Sequence, residues 1–178
     1  MDRHNKNLLI LNLITIGSLV AYVVGIYLHV VVLGETWDNI LVVGTIALGG
    51  NIVGIILVFL IYATVIYITY RFRVFQGLNL YLCWFWILSW YQCAINEFLY
   101  FYNLPNEPIN QFFKYAFPTL WYPAKEVVFT LASAALAIFG RKIFIDRSFT
   151  KIDYILIGVV GGGMLFAVLL SQLWYINK

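Results

Sequence analysis

Five long stretches of apolar residues limit what this chain can fold into. They cover residues 8–33, 41–70, 78–102, 119–139 and 154–175, and the segments between them carry charged residues, prolines or both. A helix needs about 20 apolar residues to cross the hydrocarbon core of a bilayer, so each stretch is long enough. The pattern predicts an all-α integral membrane protein, a bundle of about five transmembrane helices forming a single domain over residues 1–178.

Composition excludes the main alternatives to a membrane protein. Hydrophobic residues make up 63% of the 178 residues and charged residues 11%, whereas soluble domains average about 45–50% and about 25%. A soluble domain of this size has too much surface for its volume to bury so many apolar side chains. Disordered chains are polar and poor in aromatic residues, and this chain is neither.

Two of the stretches and one connection have features of their own. The second stretch exceeds the length that a bilayer requires, so it tilts, projects from the membrane or is interrupted at Gly49-Gly50-Asn51. In the fourth stretch, Pro123 suits the first helical turn, where a missing N–H costs nothing. Residues 103–118 are rich in proline and asparagine, and we predict that they form the longest loop, on the outside.

The distribution of lysine and arginine predicts the orientation, since cytoplasmic loops carry an excess of both. With the N-terminus in the cytoplasm and the C-terminus outside, eight bases lie inside: Arg3, Lys6, Arg71, Arg73, Arg141, Lys142, Arg147 and Lys151. Only Lys114, Lys125 and Lys178 lie outside. We expect a multi-pass protein of the cell (plasma) membrane. The scattered bases form no nucleic-acid patch, so we expect lipid and no nucleic acid as partners.

The polar residues near the outer side form a candidate site. In this topology the outer half holds a polar cluster made up of His29, Asp38, Asn51, Asn96, Glu97, Lys125 and Glu126. The inner half is expected to be almost wholly apolar. Ionisable groups inside a membrane are costly and are functional candidates. One interpretation is therefore an outward-facing polar pocket with Glu97 opposite Lys125.

A structural interpretation of the same residues stays open. Glu126 suits the first turn of a helix, where a carboxylate complements the dipole. Lys125 can extend to the interface, and Glu97 can simply pair with it. A single histidine such as His29 is more often a hydrogen-bonded interior residue than a metal ligand.

The inventory of chemical groups predicts no catalytic, cofactor or metal site within this chain. A bis-histidine haem needs two intramembrane histidines, and zinc or copper sites need three or four ligands. The chain offers His29 with Cys83 and Cys93, and it has no nucleophile-elbow, zinc-protease or P-loop motif. The glycines at 161–163 suit close helix packing. Such a chain is either a subunit of a larger assembly or a small-molecule transport module.

The order of local features adds a resemblance to a known family. The features are Ile26-Tyr27-Leu28-His29, Glu35-Thr36-Trp37-Asp38, Tyr70-Arg71-Phe72-Arg73, Gly77, Trp90, Asn96, the Phe117–Ala124 segment with its two prolines, and Gly158 to Phe166. This succession resembles the A subunit of the membrane-bound copper monooxygenases, which include particulate methane monooxygenase and ammonia monooxygenase. It covers roughly residues 20–174.

The resemblance implies a membrane scaffold subunit in an oxygenase complex. The family oxidises ammonia, methane or short hydrocarbons with O₂, and three different subunits form a protomer of a trimeric ring. Its copper sites lie in the partner subunits, one bearing cupredoxin domains and one polytopic. Of the family positions proposed as copper ligands after the first helix, only His29 and Asp38 match, which also implies copper in partners rather than in this chain.

Two other functions remain open from the sequence. The chain has the size and helix number of the substrate-binding membrane module of a small-molecule transporter, for which an outward-facing polar pocket is suitable. It could also be an accessory subunit of a respiratory complex, with a quinol site near His29 and Glu97, because an imidazole and a carboxylate can accept quinol protons.

Overall fold

The described part of the chain is helical. The computed structural model describes residues 3–32, 60, 63–64, 67–68, 75–102, 108–117 and 120–176, without some of the side chains in these ranges. Its helices are α1 (Arg3–Val32), α2 (Gln76–Phe101), α3 (Pro108–Ala116), α4 (Trp121–Phe144) and α5 (Lys151–Ile176). No strand occurs within these ranges. The all-α prediction is confirmed for the described residues.

Three of the described helices are long and apolar enough to cross a membrane. They cover Arg3–Gly25, Pro123–Phe144 and Lys151–Leu170, and correspond to the first, fourth and fifth predicted stretches. Helix α2 matches the third stretch in position and is 26 residues long. The second stretch, with its possible break at Gly49-Gly50-Asn51, lies mostly outside the described residues. Its described residues are helical: Leu60, Ala63, Thr64, Tyr67 and Ile68.

Helices α1 and α2 run parallel. Leu8 and Leu11 near the start of α1 share a buried cluster with Leu80 and Cys83 near the start of α2. Further along, Leu19 and Tyr22 pack with Trp90 and Ala94. The two helices therefore begin at the same end of the bundle and advance together.

Helices α4 and α5 complete the bundle around α2. The Asn7 side-chain amide donates to the carbonyl of Ile143 at 2.8 Å, which places the end of α4 beside the start of α1. The start of α5 meets the start of α2, where Gly77 contacts Asp153. We call this end of the bundle the charged end; its described bases are Arg3, Lys6, Arg141, Lys142, Arg147 and Lys151. The opposite end, where α2 ends and α4 begins, is the far end.

The predicted loop over residues 103–118 is wrong in part, because α3 occupies Pro108–Ala116. Proline and asparagine suggested a loop, but Pro108 is the first helical residue, a position that proline favours. Ile109, Phe112 and Phe113 then repeat at helical spacing, and Phe113 is buried. The proline and asparagine residues therefore led to a loop prediction where the chain forms a short amphipathic helix.

Helix α4 begins as the sequence predicts. Its first residue is Trp121, and Leu120 before it forms no side-chain cap. Pro123 lies in the first turn, where backbone N–H groups have no helical acceptor, so its missing N–H removes an unsatisfied donor. Further along, Ser133 donates to the Phe129 carbonyl at 2.6 Å, which satisfies a buried hydroxyl within the helix.

Candidate functional site

The predicted outer cluster lies only partly within the described structure. Asp38 and Asn51 lie outside the described residues, as do the side chains of His29 on α1 and Glu97 on α2. Asn96, Lys125 and Glu126 lie at the far end. Lys125 is buried, Asn96 and Glu126 are partly buried, and Lys125 and Glu126 interact electrostatically. A pocket that unites all seven residues stays a prediction.

The expectation of an almost wholly apolar inner half is wrong. Buried polar side chains occur in the half of the bundle nearest the charged end, namely Asn12, Thr15, Ser18, Gln76, Asn79 and Asp153. Five of them escape the cost of burial because they bond to one another, to the helix backbone, or to Arg147 and Thr150. The exception is Gln76, whose Oε1 is buried without a hydrogen-bond partner among the described residues. Two groups stand out, one around Asp153 and one around Asn12.

The Asp153 cluster consists of Arg147, Thr150, Asp153 and Gly77. The Asp153 side chain is fully buried, and Arg147 donates two bonds to it, from Nη1 to Oδ2 at 2.6 Å and from Nη2 to Oδ1 at 2.9 Å. Bidentate pairing of this kind is among the strongest that side chains form. The hydrogen bonds to Asp153 raise the pKa of the Arg147 guanidinium, so Arg147 stays protonated.

Thr150 and Asp153 also cap the start of α5. The Thr150 backbone N–H donates to Asp153 Oδ2 at 2.7 Å, and the Thr150 hydroxyl donates to the same oxygen at 2.9 Å. The Asp153 backbone N–H donates to Thr150 Oγ1 at 3.4 Å. This is a capping box, in which a threonine and a carboxylate three residues later satisfy each other's backbone donors. The cluster therefore fixes where α5 begins.

Gly77 allows α2 to approach the Asp153 cluster. A Cβ atom at position 77 would lie 2.5 Å from Asp153 Oδ1 and 2.9 Å from its Cβ and Cγ. Contacts this short are not tolerated between packed atoms. Because Arg147 and Thr150 hold the Asp153 carboxylate, the glycine is what lets α2 and α5 meet at this point.

The Asn12 cluster joins α1 to α2. Asn12 Nδ2 donates to Asn79 Oδ1 at 3.0 Å, and Asn79 Nδ2 donates to Asn12 Oδ1 at 3.1 Å. Asn12 Nδ2 also donates to the Leu8 carbonyl at 2.8 Å, and the Cys83 thiol lies 3.4 Å from Asn12 Oδ1. Buried amides that bond across an interface in apolar surroundings hold two helices in register.

Gly161 brings α5 against α2 and α4. A Cβ atom there would lie 2.9 Å from the Tyr81 hydroxyl and 3.2 Å from Thr130 Cγ2. The sequence predicts close packing at the three consecutive glycines, and the structure confirms it at Gly161. Gly162 and Gly163 differ, since a Cβ atom at either would meet nothing within 4 Å.

Some of these residues could have been identified from the sequence. Thr150-x-x-Asp153 before an apolar run is a capping-box pattern. Asn12 and Asn79 are polar residues inside apolar stretches, but only the parallel register of α1 and α2 shows that they meet. Across the described ranges, no three or more His, Cys, Asp or Glu side chains form a group suited to a metal ion.

Comparison with known proteins adds no relative. No family model, no curated protein and no solved structure matches the chain. The described contacts and the order of sequence features are therefore the observations that bear on function.

Proposed function

We propose that this protein is a membrane scaffold subunit of a copper-dependent monooxygenase complex. The complex would oxidise ammonia, methane or a short hydrocarbon with O₂, and the copper sites would lie in two partner subunits, one bearing cupredoxin domains and one polytopic. In this proposal the chain itself supplies membrane helices and contact surfaces.

One observation carries the scaffold part of the proposal. The best-defined polar groups of the described bundle, the Asp153 and Asn12 clusters, bond helix to helix or helix to adjoining loop. Side chains engaged in this way hold a fixed bundle together. They occupy the charged-end half, where three helices begin and one ends.

The membrane topology rests on the helices and on their charges. Three described helices are apolar enough to span a bilayer, and parallel α1 and α2 are what a five-span order requires. Six described helix and loop positions at the charged end carry exposed or partly exposed bases close to the predicted inner face: Arg3, Lys6, Arg141, Lys142, Arg147 and Lys151. By the positive-inside rule, that end faces the cytoplasm. The start of α1 would then be inside and the end of α5 outside.

The oxygenase part of the proposal is supported by the ordered resemblance across residues 20–174. The resemblance places the copper in the partner subunits. The described residues agree with a chain whose polar groups serve packing, as the Asn12 and Asp153 clusters do.

Affinity purification through this chain in a mild detergent tests the proposal. Mass spectrometry of the eluate should identify a cupredoxin-bearing subunit and a second polytopic subunit, and metal analysis should find copper. An unrelated membrane protein of similar size, purified with the same tag, serves as the control. A chain recovered alone and without copper would contradict the proposal.

The same preparation distinguishes the two other functions. A transport module would be stabilised against heat by its small-molecule ligand in the absence of other subunits, and substitution of Glu97 or Lys125 would abolish that effect. An accessory quinol-site subunit would co-purify with quinone and with electron-transfer subunits that carry haem or iron–sulfur centres.

A further inference from the structure

Helix α3 has a broader apolar face than the bundle covers. At about 100° per residue, Pro108, Ile109, Phe112, Phe113, Tyr115 and Ala116 fall on one side of the helix, and Asn110, Gln111 and Lys114 fall on the other. Helix α3 is therefore amphipathic along its whole length.

Only one edge of that apolar face packs against protein. Phe113 is buried, and its ring stacks with Phe117 at a centroid distance of 6.4 Å. Backbone bonds from Phe117 N–H to the Phe113 carbonyl and from Leu120 N–H to the Phe117 carbonyl carry the chain from α3 into α4. The other edge is open, since Phe112 is 63% exposed and Tyr115 is 91% exposed.

Exposed apolar residues follow the open edge of α3 along the chain into α4. Phe117 and Leu120 in the connection are exposed, and Val127, Val128 and Leu131 on α4 are exposed in turn. Those α4 residues belong to a helix that is long and apolar enough to cross a membrane. The open edge of α3 thus lies next in sequence to a helix surface that suits lipid.

From this placement we propose that α3 lies in the bilayer interface at the far end of the bundle. Phe112 and Tyr115 would enter the boundary between headgroups and acyl chains, while Gln111 and Lys114 face the headgroups and water. Amphipathic helices with aromatic side chains on one face and basic ones on the other bind interfaces in this manner. Tyrosine is enriched at that depth because its ring is apolar and its hydroxyl polar.

The occupant of this surface is therefore phospholipid rather than a second protein. The apolar face borders polar residues of the same helix directly, and the exposed residues that follow it in sequence belong to a helix apolar enough to cross a bilayer. The inference rests on the membrane location of the chain and not on the oxygenase proposal, so either can fail without the other.

Spin labelling in nanodiscs of phosphatidylcholine with phosphatidylglycerol tests the inference. Single cysteines would be placed at Phe112, Tyr115 and Gln111 in a chain carrying Cys83→Ala and Cys93→Ala. Labels at 112 and 115 should collide more with oxygen than with a water-soluble nickel complex, and the label at 111 should show the reverse. Three labels equally open to the nickel complex, or labels at 112 and 115 shielded from both reagents, would overturn the proposal.

A second measurement uses the unchanged chain and so does not depend on the variants folding. A lipid-soluble diazirine, photolysed in vesicles of the same composition, should label Phe112 and Tyr115 as it labels Val128 on α4. Labelling of Val128 with none on α3 would contradict the inference.

Discussion

Gly77 on α2 and Asp153 on α5 lie so close that no Cβ atom fits between them, because a Cβ at position 77 would be 2.5 Å from Asp153 Oδ1. The carboxylate cannot easily retreat, since Arg147 and Thr150 hold both its oxygens. The glycine at position 77 and the buried Asp153 carboxylate thus set how closely α2 and α5 approach, although the two helices are far apart in sequence.

Replacement of Gly77 by alanine should destabilise the bundle. The added methyl group must displace either the Asp153 carboxylate or the start of α2, and overpacking of this kind costs about 1–3 kcal/mol. We expect a lower midpoint of thermal unfolding in detergent. Gly17→Ala is the matched control, because a Cβ atom there meets nothing within 4 Å and alanine favours a helix by about 1 kcal/mol over glycine. A Gly77→Ala protein at least as stable as the Gly17→Ala protein would contradict this prediction.

The effects of Arg147 and Asp153 substitutions on stability should not be additive. Arg147→Met leaves a fully buried carboxylate without its cation, and such a loss costs about 3–5 kcal/mol. We expect a loss of stability at the lower end of this range, because a quarter of the Arg147 side chain is exposed and water can screen the pair. The double variant Arg147→Met/Asp153→Leu should lose less than the sum of the single variants.

A double-mutant cycle on the denaturant-unfolding free energies measures that difference. The coupling should lie at about 0.5–3 kcal/mol, and Ser148→Ala at an exposed neighbouring position should change little. Strictly additive single effects would show that the two residues do not act together.

The effects of Asn12 and Asn79 substitutions on stability should also not be additive, although this pair carries no charge. Asn12→Leu leaves the buried Asn79 amide with the weaker Cys83 thiol contact at 3.8 Å in place of two amide bonds, at a cost of about 1–3 kcal/mol. Asn12→Leu/Asn79→Leu removes both polar groups and should recover part of that loss. Unfolding free energies of the two single variants and the double variant, with Leu13→Ala at an exposed position as control, test the expectation. A double variant less stable than either single one would argue against the pairing.

Two neighbouring glycines on α5 give an internally controlled comparison. Gly161→Ala places a methyl group 2.9 Å from the Tyr81 hydroxyl and should lower the unfolding midpoint, whereas Gly162→Ala meets open space and should not. Tyr81→Phe combined with Gly161→Ala should recover part of the loss, since it removes the clashing oxygen. Equal midpoints for the two alanine variants would contradict the packing at Gly161.

Long apolar stretches were sufficient to predict most of the fold. Helices α1, α2, α4 and α5 follow the stretches, because a long apolar segment avoids unsatisfied backbone groups by forming a helix. Helix α3 was not predicted, because Pro108 and Asn110 are residue types that favour loops. The helical spacing of Ile109, Phe112 and Phe113 is the sequence signal that indicates the helix. A short amphipathic helix contains no long apolar stretch, so a search for such stretches does not detect it.

The polar interior could be predicted less well, for a physical reason. A capping box at Thr150 and Asp153 is local and readable, but its contact with Gly77 depends on how α2 meets α5. The pairing of Asn12 with Asn79 likewise depends on the parallel register of α1 and α2. Single polar residues in apolar stretches indicate that a partner exists without indicating where it lies.

The distribution of copper after subunit separation tests the central proposal most directly. The complex would be purified through this chain in mild detergent, its subunits separated, and copper measured in each fraction. The proposal predicts copper with the partner subunits and none with this chain. Stoichiometric copper on the isolated chain, or a chain that purifies without partners, would contradict it.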